Sequence, residues 1–129
     1  MNKIHIETSA GDLVDKITIL EIKKEKISDK KSLETIDKEY LSLKDSLAKS
    51  LKVNDKIQEL QKQLKEVNLK LWEIEDEIRL AEKNRKFDQK FIELARSVYK
   101  YNDNRAKIKL DINQLSGSNI QEVKQYTKY

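Results

Sequence analysis

From Ile57 to Ala81 the apolar residues Ile57, Leu60, Leu64, Val67, Leu71, Ile74, Ile78 and Ala81 alternate three and four apart without a miss. That spacing keeps one stripe of a helix facing a partner, so the chain must supply further helices to cover it. The rest of the sequence agrees. There is no proline and only two glycines in 129 residues, and the 39% of charged residues is interrupted by apolar seams too regular for a disordered chain. The expected fold is all-α: an antiparallel helical bundle of four helices in a single domain, 1–129. A long central coiled-coil-like hairpin, a short extended N-terminal arm and a short C-terminal tail complete it.

Ser9 and Asp12 have capping-box spacing and open a first helix at about 10–27, with Leu13, Ile17, Leu20 and Ile27 on its buried stripe. Steps of about 100° place Glu21 on that stripe beside Ile17 and Val14, with Ile19 and Ile22 on the opposite side, so this helix is expected to be covered on two faces. Ser32 is the expected cap of a second helix, about 32–51, carrying Leu33, Ile36, Tyr40, Leu43 and Leu47. The connection from Leu51 to Asp55 holds no glycine or proline, which leaves open a continuous helix. Asn54 or Asp55 can otherwise cap the third, about 55–84. Asp88 caps the fourth, 88–116, with Phe87 and Ile92 as a staple. Its stripe is Phe91, Leu94, Val98, Tyr101, Arg105, Ile108, Ile112 and Leu115, and Gly117 stands where a terminating glycine belongs. The tail, 117–129, is either free or docked on the bundle or on a partner.

Arg105 is the wrong residue for an apolar stripe. Short turns make neighbouring helices antiparallel, and equal rise on each then sets which residues share a level. Glu21, Tyr40, Asn68 and Arg105 fall at one height, so Glu21 or Asn68 is expected to engage the guanidinium, with the Tyr40 hydroxyl near it. Such a layer reads first as a structural device that fixes register, and otherwise as a ligand site or an arginine reaching out to solvent. Trp72 is placed beside Tyr99, near Asn102 and Asp103. That group reads equally as a partner surface and as cover for the other hairpin. Asp76 and Arg96 share a level and are expected to pair across the hairpin.

Little else in the chain suggests chemistry. Twenty-seven Lys and Arg against twenty-three Asp and Glu leave a net charge of +4, with lysines interleaved among acids, so nucleic acid is not an expected partner. There is no cysteine, hence no disulfide or thiolate chemistry, and no apolar run fit for a signal peptide or a membrane span, so a cytoplasmic protein without membrane contact is expected. Glu73, Glu75, Asp76 and Glu77 form an acidic run, but the only histidine is His5 in the arm. A carboxylate-bridged metal centre needs histidines on facing helices, so no metal and no cofactor is expected. No glycine-rich phosphate loop exists.

Several strings occur together: Gly11-Asp12-Leu13 leading into Asp15-Lys16-Ile17-Thr18-Ile19-Leu20-Glu21-Ile22-Lys23; Leu71-Trp72 with Ile74-Glu75-Asp76 and Ile78-Arg79; and Leu94-Ala95-Arg96-Ser97-Val98-Tyr99 with Asn102-Asp103, Arg105-Ala106, Ile108-Lys109 and Ile112-Asn113. Over most of its length, more loosely from about Asp29 to Lys56, the chain resembles a family of small bacterial and phage proteins described only as a domain of unknown function. Two positions depart from that pattern: Asp12 stands in place of Glu, and Val123 replaces a Glu before Lys124-Gln125-Tyr126. The resemblance implies no activity. Its motif residues include Glu21, Trp72, Tyr99, Asn102, Asp103 and Arg105.

The expected function is a non-enzymatic interaction or oligomerisation module, a homo-oligomer or a protein partner's binder, using leftover apolar faces such as Ile19 with Ile22 or Leu69 with Trp72. One alternative is a small-molecule binder or enzyme with a polar site in the bundle, where Arg105, Lys24 and Glu21 supply the residue types that all-helical chorismate mutases use. A second alternative is weak nucleic-acid binding.

Overall fold

Each helix starts where a short polar side chain takes up a free backbone N–H of the first turn. The structure, a computed structural model describing residues 2–129, has four such starts. Ser9 accepts from Asp12 N at the head of α1 (Ala10–Lys26), and Asp29 from Ser32 N at the head of α2 (Lys30–Ser50). Asn54 accepts from Ile57 N at the head of α3 (Asp55–Lys83), and Asp88 from Phe91 N at the head of α4 (Gln89–Ser116). Ser32 is therefore not the cap of α2. Its backbone N–H and its hydroxyl both donate to the Asp29 carboxylate, which lies one residue outside the helix where a cap must sit.

The chain does break between α2 and α3. Leu51 is extended, at φ −139° and ψ 129°, and Asn54 restarts the helix. α3 ends in a double reversal, with Arg85 N bonded to Glu82 O and Lys86 N to Ala81 O, which requires a left-handed residue at Arg85, φ 51°. Glycine usually fills that position, and here an arginine does. Gly117, at φ 67°, closes α4 in the ordinary way. Residues 2–8 form neither helix nor strand, with Ile4 and Ile6 exposed; Met1, the first residue of the expected arm, lies outside the described residues.

The hub is α1 and not the long hairpin. α3 and α4 pair with each other, α1 runs against all of α2, α3 and α4, and α2 approaches no backbone but that of α1. The burial pattern explains this. Val14, Ile17 and Leu20 face one way, while Gly11, Asp15, Thr18 and Ile22, at helical spacing, form a second buried stripe. Val14 and Ile17 of the first stripe meet Leu47, Leu64 and Ile112 in a core to which every helix contributes. Burying each such aliphatic side chain is worth roughly 1.5–3 kcal/mol. Ile22 is 1% exposed, so it belongs to the fold and is not a leftover apolar face.

Crossing α1 this near to α4 depends on Gly11. A Cβ there would stand 2.6 Å from the Lys109 carbonyl oxygen and 2.9 Å from Asn113 Oδ1, which accepts from Gly11 N. Away from this crossing the packing thins. α2 has Leu47 as its one buried residue, and no residue from Glu75 to Val98 is buried. The far half of the α3–α4 hairpin is therefore bare.

Replacing Gly11 with Ala is expected to lower stability by about 1–3 kcal/mol, because backbone rather than a movable side chain meets the new methyl. Urea unfolding checks this, and an unchanged midpoint would mean that α1 can lift off α4 without loss.

Candidate functional site

The buried stripe of α1 carries an acid into the space between α3 and α4. Asp15 is 5% exposed, and its carboxylate is held from two helices. Arg105 of α4 donates Nε to Oδ1 at 3.0 Å and Nη2 to Oδ2, a two-pronged pair. Asn68 of α3 donates Nδ2 to Asp15 Oδ1 at 2.8 Å and to Thr18 Oγ1 at 2.9 Å, and Thr18 donates to the Asp15 backbone carbonyl. Asp15's hydrogen bond raises the pKa of Arg105 against the opposing effect of burial, so the guanidinium stays charged.

Arg105 and Asn68 thus share a level, as helix registration implies, but the acid between them is Asp15 and not Glu21. Glu21 instead accepts from the Tyr40 hydroxyl at 3.4 Å on the α2 side of α1, where Lys24 also lies 4.2 Å from the Tyr40 ring centroid. Burial, with the nearby Glu21 carboxylate, raises the Tyr40 pKa. The expectation failed because it placed the polar layer on the Val14–Ile17 stripe of α1. Asp15 lies on the second, and the spacing Gly11, Asp15, Thr18, Ile22 was the available signal.

Beside this pair is a groove of about 380 Å³ lined by Ile19, Ile22, Leu71, Trp72 and Val98, with Asn68, Asn102 and Arg105 at its polar end and Glu75 and Asp76 at its rim. Of the residues singled out from sequence, Asn68, Trp72, Asn102 and Arg105 meet here. Tyr99 and Asp103 do not. They receive the C-terminal tail: the Tyr129 hydroxyl donates to Asp103 at 2.7 Å, and its ring stands edge-on to Tyr99 with centroids 4.8 Å apart. The tail is thus docked. The expected ion pair between Asp76 and Arg96 is not formed, since Arg96 Nε reaches the Tyr99 hydroxyl at 3.5 Å.

A second anchor of the tail was not read from the sequence at all. Lys109, 9% exposed, lies between Asp12 at 2.8 Å and Glu122 at 3.1 Å. Burial pulls the Lys109 pKa down, but the hydrogen bonds to Asp12 and Glu122 outweigh it and the net shift is upward. Burial likewise pushes Asp12 up, and the bond and charge of Lys109 bring it below the ordinary value. Alone on its stripe a lysine reads as solvated; only the approach of α1 and the tail encloses it.

Among the described residues no three His, Cys, Asp or Glu side chains gather as a metal site, and no helix is long and apolar enough to cross a membrane. A family model described as a family of unknown function (DUF6165) matches residues 4–129. No curated protein and no solved structure matches the chain.

Two predictions follow from this geometry. Asp15→Ala should cost about 2–4 kcal/mol, somewhat under a fully enclosed pair because the Arg105 side chain is 28% exposed. Asp15→Leu combined with Arg105→Met should recover part of that loss, and a denaturation double-mutant cycle that finds the effects additive would show the two groups uncoupled. Stability should also fall at both pH extremes. Asp12, with its lowered pKa, stabilises above its unfolded value and loses this as the pH drops below about 4–5. Lys109, with its raised pKa, stabilises up to about pH 10 and loses this as the pH climbs through its folded value. Asp12→Asn should flatten the acid limb of a plot of urea midpoint against pH; an unaltered limb would assign it to other carboxylates.

Proposed function

The chain belongs to the family of unknown function DUF6165, and since that membership carries no chemistry we propose from the geometry that it is a non-enzymatic, self-associating helical module. One observation carries the reading: the far half of the α3–α4 hairpin has no buried residue, and Leu80, Phe87 and Ile92 are 58%, 55% and 48% exposed along it. Two helices with only a half-buried seam between them are marginal in water, and covering such a surface is what a second copy supplies. The compartment that fits this reading is the cytoplasm, with no membrane contact and no nucleic acid. The bare surface requires neither.

Sedimentation from roughly 1 to 100 μM should show a mass above that of one chain, and Leu80→Glu combined with Ile92→Glu should weaken association about tenfold with helix content retained. A single-chain mass throughout would sink the proposal. The groove beside Arg105 favours a second reading, a small-molecule site, since its volume falls at the small end of the usual range for ligand pockets. Against it, the residues that would hold an acidic substrate are dispersed: Arg105 is neutralised by Asp15, Lys24 pairs with Asp37 at 3.1 Å, and Glu21 holds Tyr40.

A further inference from the structure

The groove asks for a cation. Arg105 is the positive group on its lining, and Asp15 already answers that charge. Asn68 spends both hydrogens of its amide nitrogen on Asp15 and Thr18, which leaves its Oδ1 without a hydrogen bond although the residue is 6% exposed. No polar side-chain atom is both fully sealed and unsatisfied among the described residues, so that oxygen opens on the groove it lines. At the rim Glu75 is held by Arg79 at 2.9 Å, whereas Asp76 has no ion pair among the described residues. Asp76 lies one turn along α3 from Trp72, and an unpaired carboxylate beside an indole recognises a guanidinium or ammonium on an apolar stem, with the Asn68 carbonyl a separate acceptor at the groove's polar end.

The chain carries such a group at the end of its own hairpin. Lys83, Arg85, Lys86 and Phe87 are all exposed at the turn, and none of these cations is ion-paired among the described residues. Arg85 occupies the left-handed position at which glycine costs nothing, so the fold tolerates strain to keep a long cationic side chain at the apex. Trp72 and Arg85 are separated by about 20 Å along the hairpin at 1.5 Å per residue. Two hairpins laid antiparallel and overlapping by that length put the tip of each at the groove of the other.

We propose that the groove receives the Arg85 tip of a second copy of this chain, with the Arg85 guanidinium against Asp76 and Trp72, and that the exchange is reciprocal about a two-fold axis. The inference rests on the self-association reading and specifies its contact. A reciprocal contact can be tested by complementation. Asp76→Lys and Arg85→Glu should each weaken association by roughly tenfold or more, since like charges then meet at both contacts. Mixing the two variants should restore it to near the original strength, because a mixed dimer joins the two altered sites to each other and the two native sites to each other. Emission from Trp72, the one tryptophan in the chain, should change with concentration in the original protein and in the mixture but in neither variant alone.

Arg85→Gly guards against a folding artefact: it relieves the left-handed residue, so it should keep or raise stability while weakening association. Association that survives in both charge variants places the contact elsewhere and overturns the inference, leaving self-association intact. A single-chain mass for the original protein at every concentration overturns both. So does a single chain whose Trp72 emission responds only to an added lysine-rich peptide, which would put a different occupant in the groove.

Discussion

A carboxylate 5% exposed inside a helical protein is untenable without partners, and the packing is arranged around giving Asp15 two of them. Arg105 arrives from α4 and Asn68 from α3, so the acid ties the hairpin to α1 at one level. The pair also specifies geometry. A helix sliding by one turn would leave a buried charge alone, whereas apolar side chains in the same place would tolerate the slip. Gly11, one turn earlier on the same stripe, lets the backbones meet closely enough for the reach to be short.

This makes the shortest helix the centre of the molecule. α1 is 17 residues long and touches each of the others, whereas α3, at 29, extends past α1 with α4 alone beside it. Burial follows that contact and not helix length. The two stripes of α1 are sealed, α2 is held by Leu47 with Tyr40 and Leu43 partly buried against the same core, and the tail is fastened to α4 through Lys109 and Tyr99. A helix that buries both faces cannot be peripheral, and a helix that buries one residue can hardly be central.

The uneven cover is also where function is to be sought. The Asp15 carboxylate is engaged by Arg105 and Asn68, and the groove beside it offers acceptors and an aromatic ring. The bare hairpin ends in the cations Lys83, Arg85 and Lys86, of which Arg85 is in the left-handed conformation. Acceptors in the groove and a basic tip on one chain are opposite in charge, which is the ground of the proposed self-association.

Local order was readable residue by residue. The seam from Ile57 to Ala81, the caps Ser9 and Asp88, the choice of Asn54 or Asp55 for α3 and the terminator Gly117 each act within one helix or one turn, although at α2 the same local signal pointed to Ser32 where Asp29 caps. Registration of α3 against α4 followed from their short turn and brought Asn68 level with Arg105. Which acid met them did not follow. Glu21 and Asp15 are both carboxylates on α1, and choosing between them requires knowing which of the two covered faces meets α3 and α4 and that the helix crosses α4 at Gly11. Lys109, enclosed by Asp12 and Glu122, and Tyr99, met edge-on by Tyr129, depend in the same way on segments far apart in sequence. The amino-acid sequence by itself determined where helices begin, end and turn an apolar side, because those are short-range steric and hydrogen-bonding facts. Only the tertiary structure decided which charges are enclosed and which surface stays bare, because both depend on how near separate helices come.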